Sequence, residues 1–105
     1  MPVATVDVDA LHRARAAGAA VLDVREDAEI AICHLPGAHH VPLGALVDHL
    51  ATLATLPAPI YCLCHHGIRS AHAASILRDH GIEAINVHGG IDAWAHRIDP
   101  AMPRY

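Results

Sequence analysis

Phenylalanine and lysine are absent from the 105 residues, and Trp94, Tyr61 and Tyr105 supply all the remaining Trp and Tyr. Without lysine, all seven basic side chains are arginine, and 11 acidic ones leave a formal charge of −4 with histidine neutral. A nucleic-acid binder is expected to be basic, so the balance argues against one. No apolar run approaches the roughly 18 residues that a membrane-spanning helix needs. The N-terminus, Met1 to Asp7, has neither a basic start nor a long apolar stretch, so no secretory leader is expected. Charged residues make up only 17% of the chain against 53% apolar, the reverse of the composition that keeps a chain disordered. Three cysteines cannot pair completely, so a disulfide framework is excluded and a reducing cytoplasm is the expected compartment.

What remains is one aliphatic chain rich in alanine, with 11 histidines. Its length suits one domain over residues 1–105, since domains run to roughly 100–200 residues, and such a domain can bury a core unaided. Short apolar runs alternate with helical stretches. Strands are expected at 4–6, 20–24, 38–41, 59–63 and 84–87. The strongest is Pro59-Ile60-Tyr61-Cys62-Leu63, and Ala20 to Val24 has the compact apolar character of a buried parallel strand. A first helix, capped by Asp7 or Asp9, carries Leu11, Ala14 and Arg15 and ends at Gly18. One or two turns follow at 27–32. The stretch 43–56 reads as an amphipathic helix with Leu46, Val47, Leu50 and Leu53 on one face, broken by Pro57 and Pro59. Residues 69–80 and 91–96 complete the helices. The alternation implies an α/β fold with a parallel sheet covered on both faces. Scarce aromatics and plentiful alanine suit thin, closely packed layers.

The chemistry concentrates at Cys64-His65-His66-Gly67-Ile68-Arg69-Ser70, where the strongest strand gives way to a helix. Ligands of α/β sheets bind at the carboxyl ends of strands. Loop amides and a helix N-terminus at such a junction favour an anion, so a sulfur placed there is stabilised as the thiolate nucleophile. By residue type alone, Cys64 would be a buried packing thiol; its place in a strand–Cys–Gly–Arg–helix cradle makes it the candidate nucleophile. Gly67 lets the loop turn and keeps the bowl open, and Ser70 can serve the first turn of the helix.

Four motifs in order carry a family resemblance: Leu22-Asp23-Val24-Arg25, His34-Leu35-Pro36-Gly37-Ala38, Cys64 to Ser70, and Gly89-Gly90-Ile91-Asp92-Ala93-Trp94. Together they resemble the rhodanese family of sulfurtransferases over nearly the whole chain. The resemblance implies a three-layer α/β/α domain with a central five-stranded parallel sheet. It implies that the Cys64 thiolate attacks the outer sulfur of thiosulfate or another sulfane donor and becomes a persulfide. A second nucleophile then takes that sulfur: cyanide in the test tube, a small thiol or a dithiol, thioredoxin-like protein in the cell. This is two-step covalent catalysis. The loop residues His65, His66, Gly67, Ile68, Arg69 and Ser70 would hold the persulfide charge in the manner of an oxyanion hole. Neither a metal nor an organic cofactor is required.

Related phosphatases and arsenate reductases resemble a Cys-x5-Arg pattern; Cys64 to Arg69 is Cys-x4-Arg, and the shorter loop favours sulfur. A non-catalytic rhodanese-like binding module would lack the cysteine. A persulfide carrier serving a biosynthetic partner would share the chemistry and differ in its acceptor.

Several residues carry plainer readings. Cys33 stands where the family has glycine and reads as a packed thiol more than a resolving one. Cys62, two residues before Cys64 on the strand, reads as core. Asp23 and Arg25 read as scaffold ion-pairing, with Glu29 four residues on as a partner for Arg25; His34 belongs to a motif supporting the site. Arg69 either faces the bowl or ties the loop to an acidic partner. His65 and His66 replace the basic residues of many relatives, and histidine titrates near neutrality. The adjacent pairs His39-His40 and His65-His66 are not expected to point the same way, and no His-x3-His or Cys-x2-Cys spacing supports zinc, although His34, His39, His40, His65 and His66 could still converge in space. Trp94 reads as a core plug beside the Gly89-Gly90 turn.

Overall fold

The computed structural model describes residues 3–105; Met1 and Pro2, which belong to the N-terminal stretch, lie outside them. The chain opens with β1 (Thr5–Val6) and α1 (Val8–Ala16). Asp7 is the residue that caps α1: its Oδ1 accepts from the Ala10 N–H at 2.9 Å, answering one of the first-turn amides that a helix cannot satisfy internally. Next come β2 (Val21–Asp23), α2 (Asp27–Ile32) and β3 (His39–His40).

The stretch 43–56 departs from the single amphipathic helix expected. It is a 3₁₀ helix over Leu43–His49 followed by one α-helical turn, α3 (Leu50–Leu53). A 3₁₀ helix has about three residues per turn, so Leu43 and Leu46 share its inner side and Val47 turns away. Leu46 is fully buried, whereas Val47 is 60% exposed. Pro42 at the start and Gly44 within it, poor α-helix formers both, suit this tighter winding.

The second half supplies β4 (Ile60–Leu63), α4 (Ile68–Asp79), β5 (Ala84–Val87) and α5 (Gly90–Arg97). The five strands form one sheet in the order β1-β5-β4-β2-β3, with every neighbouring pair parallel. Strand alternation sends side chains to two faces. Leu22, Ile60, Cys62 and Ala84 pack with Leu46, Leu53, Ala73, Ala74 and Leu77 on one side. Val21, Leu63 and Val87 pack with Val8, Leu11, Ile91 and Trp94 on the other. Ala73 and Ala74, both fully buried, let α4 lie close to the sheet. Leucines and isoleucines such as Leu22, Ile60, Leu63 and Leu77, at 0% exposure, each contribute roughly 1.5–3 kcal/mol through burial. The sheet order sets β4 at the centre, so the loop after it emerges between the ends of β2 and β5. Among the described residues, no helix is long and apolar enough to cross a membrane.

Candidate active site

Cys64 follows the last residue of β4 and is 1% exposed. Its Sγ accepts a hydrogen bond from the Gly67 N–H at 3.0 Å and lies 3.2 Å from Ser70 Oγ. Gly67 has φ +112°, and a Cβ there would press within 3.3 Å of the Gly89 nitrogen and the Val87 carbonyl. Glycine alone takes that conformation and that space without strain. Ser70, in the first turn of α4, faces the sulfur. Its hydroxyl donates to Asn86 Oδ1 at 2.6 Å, and both Ser70 and Asn86 are buried. Cys64, Ser70 and Asn86 thus form a hydrogen-bonded row under the loop. Sequence reasoning missed Asn86, although one visible sign was there: a lone amide in the otherwise apolar strand Ala84–Val87.

The Gly89-Gly90 motif holds this loop from behind. Gly89 N–H donates to the His66 carbonyl at 3.0 Å, Ile91 N–H to that of Cys64 at 2.8 Å and Asp92 N–H to that of His65 at 3.1 Å. In a trans peptide the N–H points opposite to the C=O. Tying the His66 carbonyl to Gly89 therefore aims the Gly67 N–H at the sulfur. The approach is so close that a Cβ on Gly90 would meet the Cys64 and His65 carbonyl oxygens at 2.4 Å. Trp94 packs in the core behind this turn, 4% exposed.

Arg69 does not reach into the bowl as a free cation. It makes a two-pronged ion pair with Glu29, at 2.6 and 2.8 Å. This corrects the expected Arg25–Glu29 pair. Arg25 binds Asp23 instead, with Nη2 2.8 Å from Oδ2 and both residues almost fully buried; from Glu29 it takes the backbone carbonyl, at 3.4 Å. The reason lies in spacing: Asp23 is at the end of β2, two residues away, and its carboxylate also accepts the Arg25 backbone N–H at 3.1 Å. Burial works against the Arg25 charge, but Asp23 and Tyr105 outweigh it and hold the guanidinium protonated.

Tyr105 closes the network. Its hydroxyl donates to Glu29 Oε2 at 2.6 Å and accepts from Arg25 Nη1 at 2.9 Å. Its ring stacks on His65 with centroids 4.0 Å apart and planes 8° apart. Arg69 above all, and then Tyr105, hold the Glu29 carboxyl well below the usual carboxylate range, and Glu29 in turn raises Arg69. Burial pushes the Tyr105 hydroxyl up to about 12. No sequence feature pointed to Tyr105 in this role.

His65 and His66 do not diverge as adjacent side chains were expected to. Their ring centroids are 3.9 Å apart, because the loop curls around the sulfur instead of running extended. Burial, then the neighbouring His66, lowers the His65 pKa. With Asp92 these two histidines form the group that could hold a metal ion among the described residues, their ligand atoms within 4.8 Å of one another. Arg104 already engages Asp92 at 3.0 Å and holds its carboxyl low, so an ion there would compete with that pair.

A pocket of about 290 Å³ opens over the site, lined by Cys64, His65, His66, Ile68 and Arg69. His34 does not line it. It is exposed, its Nδ1 lies 3.3 Å from the Ile30 carbonyl, and it borders a separate groove of about 590 Å³ with Cys33, Pro36 and Met102. Cys33 is 8% exposed there, with its Sγ 3.9 Å from Arg25 Nη1. Cys62 is wholly buried; burial, with the nearby Cys64, pushes its thiol up to about 12. All three cysteines are unpaired.

Comparison with known proteins gives a consistent picture. The profile of the rhodanese-like domain matches residues 7–97. Adenylyltransferase and sulfurtransferase MOCS3 of Drosophila ananassae is 36% identical over 95 residues, covering 81% of this chain and 21% of that protein. The chain therefore spans about a fifth of the length of that relative. Thiosulfate sulfurtransferase GlpE of Stutzerimonas stutzeri is 35% identical over 86 residues, covering 81% of this chain and 78% of that one. Among solved structures, the human single-domain sulfurtransferase TSTD1 superposes with a TM-score of 0.76 at 26% identity, covering 92% of this chain and 97% of that chain.

Proposed function

This chain belongs to the rhodanese-like domain family, whose match spans residues 7–97, and from that premise we propose that it moves a sulfane sulfur through a persulfide on Cys64. The Cys64 thiolate attacks the outer sulfur of a donor such as thiosulfate. The donor's S–S bond breaks, its electron pair leaves with sulfite, and Cys64–S–S⁻ remains. A thiol acceptor, small or on a thioredoxin-like dithiol protein, then attacks the outer sulfur and regenerates Cys64. In the assay tube, cyanide takes the acceptor's place.

The observation that carries this reading is the setting of one sulfur: Sγ accepts the Gly67 N–H at 3.0 Å and lies 3.2 Å from Ser70 Oγ, at the floor of an open pocket. The Gly67 donor is fixed before reaction, so stabilising a developing sulfur anion needs little rearrangement. An oxyanion enzyme of the phosphatase or arsenate reductase kind is supported less well, because Arg69 is committed to Glu29. A persulfide carrier would use the same step and differ only in its acceptor. Neither a cofactor nor a metal enters the scheme, residues 1–105 act in it as one domain, and three unpaired thiols suit a reducing compartment such as the cytoplasm.

The test is intact-mass spectrometry after treatment with a sulfane donor. An adduct of about 32 Da, one sulfur atom on the nucleophile, is expected at Cys64. Cys64→Ser is expected to lose both the adduct and sulfur transfer, while Cys33→Ser and Cys62→Ser keep much of each. Turnover retained in Cys64→Ser would sink the assignment.

A further inference from the structure

The charges around the cradle cancel in pairs. Arg25 is matched by Asp23 at 2.8 Å, Arg69 by Glu29 at 2.6 Å and Arg104 by Asp92 at 3.0 Å. The other side chains lining the pocket are Cys64, His65, His66 and Ile68. Among the described residues that line it, none carries a permanent positive charge without a carboxylate on it. The rim is apolar on one side: Ile68 is 83% exposed at the first position of α4, and the Tyr105 ring covers His65.

Thiosulfate fits such a mouth poorly. It is a compact dianion, and when its outer sulfur reaches Cys64 its charged oxygens lie at the pocket entrance. Gly67 N–H is already directed at Sγ and the Ser70 hydroxyl at Asn86 Oδ1, so neither answers those oxygens. A persulfide on a small organic thiol makes the opposite demand. The sulfur next to the one attacked is bonded to carbon, so an apolar stem lies at the entrance, against Ile68. A pocket of about 290 Å³ is of the size that small ligands occupy.

We propose that the preferred donor of this site is a low-molecular-weight thiol persulfide, R–S–SH, over thiosulfate; this rests on the Cys64 persulfide reading above. The step is Cys64–S⁻ + R–S–SH → Cys64–S–SH + R–S⁻. The Cys64 Sγ–S bond forms, the R–S–S bond breaks, and its electron pair leaves on the thiolate R–S⁻. The proton of the outer sulfur stays where it is, and no outside oxidant or reductant enters.

The test measures the rate at which reduced protein gains one sulfur from cysteine persulfide or from thiosulfate at equal concentration. Each rate is divided by the rate of the same donor with free glutathione, which removes the donors' intrinsic reactivity. After that correction cysteine persulfide is expected to be favoured about tenfold or more, the scale on which local charge alters encounter and binding. His66→Lys places a fixed cation at the mouth and is expected to shrink this preference about tenfold at low ionic strength. Ile68→Lys, at an exposed position, tests the same point if the first variant folds poorly. Equal or faster corrected loading by thiosulfate overturns the proposal, as does a preference unmoved by both lysines. Loading of Cys64 by neither donor overturns the persulfide reading and this proposal with it. Loading by thiosulfate alone leaves the first standing and removes the second.

Discussion

Ser70 Oγ lies 3.2 Å from Cys64 Sγ while donating its own proton to Asn86 Oδ1. With Cys64 protonated, the row is complete: S–H to Ser70, Ser70 to Asn86. Ionisation of the sulfur reverses the demand, because the thiolate needs the Ser70 proton. An amide presents an oxygen at one end and an NH₂ at the other, so Asn86 can turn and donate to Ser70 in its place. A hydrogen bond to an ionised group is worth roughly 1.5–3 kcal/mol. Ser70→Ala is therefore expected to slow persulfide formation on Cys64 roughly 10- to 100-fold on that scale, read in single-turnover mass spectrometry. Asn86→Ala should slow it less, and the double variant should fall short of the sum, because the two residues act through one row. Additive effects would show that Asn86 does not act through Ser70.

Glu29 gives the site a dependence on acidity with a definite sign. Arg69, then Tyr105, depress its folded pKa. A depressed carboxyl stabilises the fold fully above its unfolded value, about 4.3, and that stabilisation disappears as pH falls toward the folded value. Glu29→Gln is thus expected to be less stable than the parent by a constant margin from pH 5 to 8. The margin should narrow below about pH 4.3, the ordinary glutamate value. Urea denaturation at several pH values checks this, and a margin that widens on acidification would contradict it.

The order of elements along the sequence carried most of the fold, and local chemistry explains why. The strand at 60–63 and its glycine-bearing exit are local patterns, as are the two glycines before Ile91, so the cradle is legible in the residues themselves. The Glu29–Arg69 pair was out of reach because its partners are 40 residues apart; sequence offered Arg25 to Glu29 instead, four positions away. Tyr105 joins Glu29 and Arg25 across separations of 76 and 80 residues. The 3₁₀ winding at Leu43–His49 escaped for another reason. The 3.6-residue periodicity of Leu46, Leu50 and Leu53 is also served by a 3₁₀ turn passing into an α-turn, and only Val47 separates the two.

Tyr105→Phe keeps the ring on His65 and removes the hydroxyl between Glu29 and Arg25. Arg25 keeps Asp23 and the Cys33 carbonyl, at 2.8 Å each, so its charge stays paired. The expected loss is about 1 kcal/mol, the usual net worth of a hydrogen bond, or about 4–8 °C in Tm for a chain of this size. Tyr105→Ala removes the stack as well, and should add a faster reaction of Cys64 with bulky alkylating reagents. Equal Tm for Tyr105→Phe and the parent would show that the hydroxyl contributes nothing.

Gly81 and Gly90 separate backbone strain from a clash at the site. Both have positive φ, +78° and +58°, so an alanine at either place carries a left-handed penalty of roughly 1–2 kcal/mol. At Gly81 the added Cβ meets nothing within 4 Å, whereas at Gly90 it would sit 2.4 Å from the Cys64 and His65 carbonyl oxygens. Those carbonyls accept the Ile91 and Asp92 amides that hold the loop, so the loop itself must move. Gly81→Ala is expected to lower Tm and leave Cys64 loading near that of the parent. Gly90→Ala is expected to lower Tm further and to cut loading by more than about tenfold, since an ångström of misplacement can cost 10²-fold. Comparable loading in the two variants would mean that the cradle tolerates displacement, and that the Gly89–Gly90 contact serves stability alone.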